Sequence, residues 1–250
     1  MLLTGAGLAL LPKAYATLEA ARDAVLANEG RLHGTLHIGG MTSVSVIDIP
    51  ALLGRYHTEH PSVSLRLHAS PHGSAGLAQS LLAGDLDVAF VSLTGRVPAG
   101  LTTRGLAAFP MTLVAPRDHR LARRGEPVVL RDLADEQFID SPVGYGNRDL
   151  VDRAFAAAGV SRRVALEVME IATTAAYVRQ GLGLAFLPEF VLSADSRGLG
   201  ELPVDGPPLM WLLSVAVSSK RQPTAPLRAL LDLIDRYLSV ESGPDVARDL

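Results

Sequence analysis

Hydroxyl side chains gather where several predicted strands give way to the next element. "GGMTSVS" (39–45) carries Thr42, Ser43 and Ser45, and "HASPHGS" (68–74) carries Ser70, His72 and Ser74. "DSPVGYGNRD" (140–149) carries Ser141, Tyr145, Asn147 and Arg148, "EIATT" (170–174) carries Thr173 and Thr174, and Ser92 closes a further strand. Hydroxyls beside the leading amides of a helix can receive a carboxylate or another polar group, because those amides have no partner within the helix. Any one of these residues is equally well explained as a plain helix cap. Several clusters on equivalent strand ends favour a small-molecule site instead.

Other chemistries find less support. There are seven histidines, but His33 and His37 flank a strand start, where four residues span roughly 13 Å. His57 and His60 could share a helix face, yet the sequence places no third ligand. No metal site is expected, and no cofactor. "GLGLAF" (181–186) lacks the third glycine of a dinucleotide cradle and precedes a strand instead of following one. No G-x-S-x-G, H-E-x-x-H or P-loop lysine motif occurs. With no cysteine, disulfide scaffolds, thiolate zinc sites and thiol catalysis drop out, and a reducing compartment fits. The chain is not expected to be an enzyme.

The elements that must hold the hydroxyls alternate between strand and helix. Strands are predicted at 35–40, 61–70 and 86–92, with helices at about 43–59 and 74–83 between them. The pattern repeats: strands at 111–116, 137–141, 164–169 and 184–188, helices at about 148–158 and 171–180. A late strand (210–217) and an amphipathic helix (224–238) close it. Such alternation implies parallel pairing through right-handed crossovers, hence two similar α/β halves. Leu8, Leu11, Tyr15, Leu18 and Val25 recur at helical spacing, so the first thirty residues read as one long amphipathic helix.

At 250 residues, 48% apolar and 20% charged, the chain has the balance of a globular protein with room for two lobes. The net charge of −3 comes with scattered Lys and Arg, so no cationic face for nucleic acid is visible. Neither a basic leader nor a long apolar run is present, and a cytoplasmic protein without membrane association is expected.

These segments in this order resemble the LysR-type transcriptional regulators. "LTGAGLALLPKAYATLEA" is similar to the end of their winged helix-turn-helix and linker helix, "GTLHIGG" to the opening strand of their effector domain, and "LLAGDLDVAFV" to a helix-strand segment. "LVAPRDHRLARRGEPVVLRDLADEQFI" resembles their crossing strand with its Asp-His-x-Leu-Ala element, and "VRQGLGLAFLPEFV" their Gly-x-Gly to Leu-Pro turn. The resemblance covers about residues 2–238 and implies a type 2 periplasmic-binding-protein fold: two Rossmann-like subdomains joined by two crossover strands, after a long N-terminal helix. It implies a linker and dimerisation helix at 1–31, a first subdomain at 32–114 and 218–239, a second at 115–217, and a flexible tail at 240–250. Residues 105–142 then form a hinge passage between lobes, with "LLSVAV" (212–217) the return.

Carried over by position and joined to the strand-end reading, the expected effector contacts are Thr42, Ser43, Ser70, Ser92, Ser141, Asn147 and Thr173. His68 stands where the family often has an acidic residue. A small polar effector is implied, a carboxylate being one fit, with homodimers or homotetramers. The family's recognition helix would precede Met1, so promoter DNA is expected to be bound only through a domain missing from this chain. A solute-binding protein of the periplasmic type is the alternative that shares the two-lobed plan.

Overall fold

The computed structural model describes residues 4–7, 10–11, 14, 17–18, 32–40, 47–194 and 196–241. Described residues of the predicted first helix (5–7, 10–11, 14, 17–18) are helical; the rest of that helix, and residues 242–250 of the predicted tail, lie outside the described residues. Residues 240 and 241, assigned to the tail, belong to the closing helix instead.

The described chain runs β1 (Gly34–Gly39), α1 (Ile49–Glu59), β2 (Val63–His68), α2 (Gly73–Ala83), β3 (Val88–Val91) and β4 (Leu101–Pro116). It continues through α3 (Arg120–Arg124), β5 (Gln137–Asp140), α4 (Gly146–Ala157), β6 (Arg163–Glu167), α5 (Ile171–Arg179), β7 (Ala185–Pro188) and α6 (Glu189–Ala194). The last elements are β8 (Leu199–Leu202), β9 (Met210–Ser218) and α7 (Ala225–Glu241). β2 and β3 flank β1 in parallel, and β9 pairs antiparallel with β3. In the second lobe β7 and β8 pair with the far half of β4, while β5 and β6 pair in parallel. Two Rossmann-like subdomains are thus joined by two crossover strands, because β4 and β9 each contribute to the join.

The crossing is longer than the predicted strand at 111–116. β4 begins at Leu101 and pairs with β9 from Leu101↔Ser218 to Pro110↔Met210, with a register shift between Gly105 and Ala107. Its first ten residues are mostly half-exposed, and their apolar run, Leu106 to Phe109, is cut off from the predicted strand by Pro110. The predicted helix start near Ser43 also moves: α1 opens at Ile49, where the Asp48 side chain accepts the Ala51 amide at 2.8 Å and Pro50 occupies the first turn.

Each lobe buries its own apolar layer. In the first, Leu36, Ile38, Val88 and Phe90 pack with Leu52, Tyr56 and the α7 residues Leu230 and Leu233, all within 1% exposure. At about 1.5–3 kcal/mol per fully buried side chain, this face of β1 fixes the strand's register. Tyr56 Oη donates to the Pro226 carbonyl at 2.9 Å, and burial pushes its hydroxyl pKa up to about 12. In the second lobe, Phe138, Phe155 and Phe186 meet around one point, Phe138 and Phe155 edge to face with centroids 5.5 Å apart. Among the described residues, no helix is long and apolar enough to cross a membrane.

Candidate functional site

A cavity of about 200 Å³ lies where the two lobes face each other. The first lobe contributes Ser70 and Pro71, from the turn after β2, and Gly73, Ser74 and Leu77 at the head of α2. The second contributes Ser141 after β5, Tyr145, Gly146 and Asn147 at the head of α4, and Met169 and Ile171 at the head of α5. Phe190 and Trp211 close the floor, their ring centroids 5.3 Å apart at 58°.

Local hydrogen bonds set these groups. Ser70 Oγ accepts the His72 amide at 3.2 Å, and its carbonyl accepts the Gly73 amide. Gly76 lets α2 settle on this turn, since a Cβ there would come within 2.0 Å of Ser70 Oγ. Across the cavity Asn147 Nδ2 donates to Ser141 Oγ at 2.9 Å, and the Ser141 amide donates to Asp140 Oδ1 at 2.7 Å. No side chain caps α4; its first internal bond runs from the Asp149 amide to the Tyr145 carbonyl, so Gly146, Asn147 and Arg148 supply its leading amides.

The lobes touch at the rim. The Ala75 amide donates to the Gly144 carbonyl at 3.0 Å, and Thr94 Oγ1 to the Gly146 carbonyl at 3.2 Å. Glycine is required here: a Cβ on Gly146 would lie 2.1 Å from the Ser92 carbonyl oxygen, and one on Gly73 (φ +56°) 2.7 Å from the Tyr145 ring.

Charge is held behind the wall. Arg162 and Asp140 form an ion pair with side chains 3% and 6% exposed, and the guanidinium lies 5.5 Å from the centroids of Phe138 and Phe155. Burial pushes the Asp140 carboxyl above its ordinary value, although Arg162 pulls it down. Arg148 donates to Asp152, Glu167 and the Ser141 carbonyl. Burial would lower its pKa, but the bonds to Glu167 and Asp152 outweigh that and raise it. The Tyr145 hydroxyl is raised by burial and by the nearby Glu170 carboxylate.

Of the predicted contacts, the structure brings Ser70, Ser141 and Asn147 to the cavity. Thr42 and Ser43 lie outside the described residues. Ser92 and Thr173 are not among the residues that line the cavity. Ser92 is 3% exposed and sits behind the lining, its amide donating to Ser74 Oγ at 2.9 Å. Thr173 is on the outer face of α5, its hydroxyl donating to the Glu170 carbonyl at 2.8 Å. The apolar members Leu77, Met169, Ile171, Phe190 and Trp211 escaped the sequence reading, since they look like ordinary core. The one available signal was the chain's single tryptophan at the start of the return strand.

The histidines do not assemble a metal centre: among the described residues no three His, Cys, Asp or Glu side chains come together. His37 Nδ1 and His68 Nε2 do meet at 3.0 Å across β1 and β2, a distance that fits one shared hydrogen bond.

Two α/β lobes joined by paired crossing strands, with hydroxyls and helix heads facing the gap between them, define a ligand-binding domain of periplasmic-binding-protein-like fold. The chain belongs to the LysR family: the LysR substrate binding domain matches residues 29–239. It is similar to the HTH-type transcriptional regulator CbbR of Xanthobacter flavus, 30% identical over 228 residues, which cover 88% of this chain and 66% of that protein. It is also similar to the HTH-type transcriptional regulator ShiR of Corynebacterium glutamicum, 33% identical over 189 residues, covering 73% and 63%. The chain therefore spans a little less than two thirds of these relatives. Among solved structures, the effector-binding domain of QuiR in complex with shikimate superposes with a TM-score of 0.69 at 19% identity, covering 84% of this chain and 99% of that one. The regulatory domain of Synechocystis CcmR in complex with 2-PG gives 0.69 at 23%, covering 85% and 99%; both likenesses bear on the fold alone.

Proposed function

We propose that this chain is the effector-binding and oligomerisation region of a regulator that controls transcription, and that a small polar molecule binds in the cavity between the lobes. Ser70, Ser141 and Asn147 supply side-chain contacts, with the leading amides of α4 behind them. In this reading residues 32–114 and 218–239 move as one lobe and 115–217 as the other, and a ligand that touches both favours one relative angle. Only a difference in affinity between the two angles shifts the balance. Residues 1–31 serve as the linker and dimerisation helix of a cytoplasmic homodimer or homotetramer, and promoter DNA is bound through a winged domain outside this chain. The reading has no catalytic step in it.

One observation carries it: the head of α4, which no side chain caps, and the Ser141–Asn147 hydroxyl-carboxamide pair converge with Ser70 on one gap between lobes. Its test is a panel of small carboxylates followed by thermal shift and calorimetry. A ligand found this way should lose about tenfold or more in affinity in Asn147→Asp, which places a carboxylate where the effector's anionic group would sit. Unchanged affinity in both Asn147→Asp and Ser70→Ala would move the ligand out of the cleft.

A further inference from the structure

The wall of the cavity discriminates between kinds of acid. Among the described residues that line it, none carries a charge: the polar part consists of serines, Asn147, the Tyr145 hydroxyl and backbone. Two cations of the second lobe are paired with carboxylates, Arg148 with Asp152 and Glu167, Arg162 with Asp140 and Asp152. The ionic neighbour that acts on Tyr145 is the Glu170 carboxylate. With Glu170 near Tyr145, a second negative charge on a ligand would find no cation among the described lining residues to offset it. A single carboxylate can still be received, because a helix head offers roughly half a positive charge in addition to its amide donors.

The apolar part has a matching shape. Phe190 and Trp211 stand at 58° with centroids 5.3 Å apart, and Phe109 backs Phe190 edge to face at 5.2 Å and 77°. This aromatic corner accepts a flat ring edge-on or offset, and Met169 and Ile171 of the same lobe line the cavity with it. Methionine adapts to a ring of varied substitution.

We propose that the cleft selects one flat six-membered ring bearing a single carboxylate, ring against Phe190, Trp211 and Met169, carboxylate at Asn147 and the head of α4, and that it rejects acyclic dianions. The proposal rests on the reading of the cleft as the effector site.

Trp211 is the only tryptophan, so its emission reports occupancy of the cavity floor directly. Benzoate, its neutral isostere benzamide, and 2-phosphoglycolate serve as probes. Benzoate should change the emission saturably and bind at least about tenfold tighter than either other probe. Met169→Glu should weaken benzoate about tenfold or more through like-charge repulsion; Met169 is 57% exposed, so the fold tolerates the change. Tighter binding of 2-phosphoglycolate, or no benzoate saturation at millimolar concentration, overturns the ring-and-monoanion class and leaves the cleft in place. Benzoate binding that neither Met169→Glu nor Asn147→Asp alters overturns the class and the cleft assignment together.

Discussion

The two lobes share a plan and differ in what lies at their centres. The first is filled by aliphatic side chains around Tyr56, and its ion pairs, such as Arg55 with Glu59 and Arg236 with Glu59, lie at the surface. The second keeps a guanidinium and a carboxylate inside an aromatic cluster. An interior pair is a poor source of stability, because its desolvation cancels most of the attraction. What this pair contributes is position: Asp140 accepts the Ser141 amide, Ser141 receives Asn147, and the polar wall of the cavity inherits its geometry from a charge in the core. The first lobe positions Ser70 with nothing more than a local turn.

The largest effect that would sharpen this contrast is at Arg162. Arg162→Met leaves Asp140 buried without its cation and should cost about 3–5 kcal/mol in urea unfolding. Asp140→Leu combined with Arg162→Met should recover most of that loss, while a ligand bound in the cleft should weaken because Ser141 is no longer held. A cost below about 1 kcal/mol for the single change would erase the difference between the lobes.

Two glycines test it at the next level with opposite signs. Gly146→Ala forces a Cβ into the Ser92 carbonyl and should destabilise by about 1–3 kcal/mol while loosening the closed rim. Gly54→Ala, inside α1 with nothing within 4 Å of the new methyl, should stabilise by about 0.5–1 kcal/mol. Thermal melts read both, and the same sign for the two would break the comparison.

The smallest effect concerns pH. The Arg55 hydrogen bond holds Glu59 below its ordinary value, so its contribution is present above about pH 4.3 and fades as pH falls through the lowered value. Solvent screens this exposed pair, and Glu59→Gln should cost no more than about 0.5 kcal/mol. Asp140 runs the other way: its raised pKa means a contribution present below about pH 3.9 and lost as pH rises through the raised value. The Asp140→Leu, Arg162→Met double variant should therefore gain on the wild type as pH climbs out of the carboxylate range. A constant difference in unfolding free energy across that range would contradict the burial of Asp140.

Legibility in the sequence followed burial. β1, β3, β7 and β9 are short apolar runs that a strand reading finds, and α4 and α5 follow from the α/β alternation around them. The first ten residues of β4 are half-exposed and interrupted by Gly105 and Pro110, so no period-two signal survives there. At the site, Ser70, Ser141 and Asn147 were legible because polar groups at strand ends need partners. Phe190, Trp211 and Met169 were not, since an apolar side chain facing a cavity and one facing the core carry the same signature. Thr173 lies off the cavity lining for reasons of helical phase: with Ala175 and Val178 turned inward, a residue two positions before Ala175 is rotated away by about 200°.

The paired run of β4 and β9 has a mechanical consequence. Two separate connectors would let the lobes slide, part or swivel; here both belong to one hydrogen-bonded ribbon, and sliding would break its ladder. The compliant coordinate left is torsion, concentrated where the register slips between Gly105 and Ala107. In the function proposed above, binding energy released in the gap would be converted into an angular displacement about a single axis, and distance between the lobes would follow from that angle.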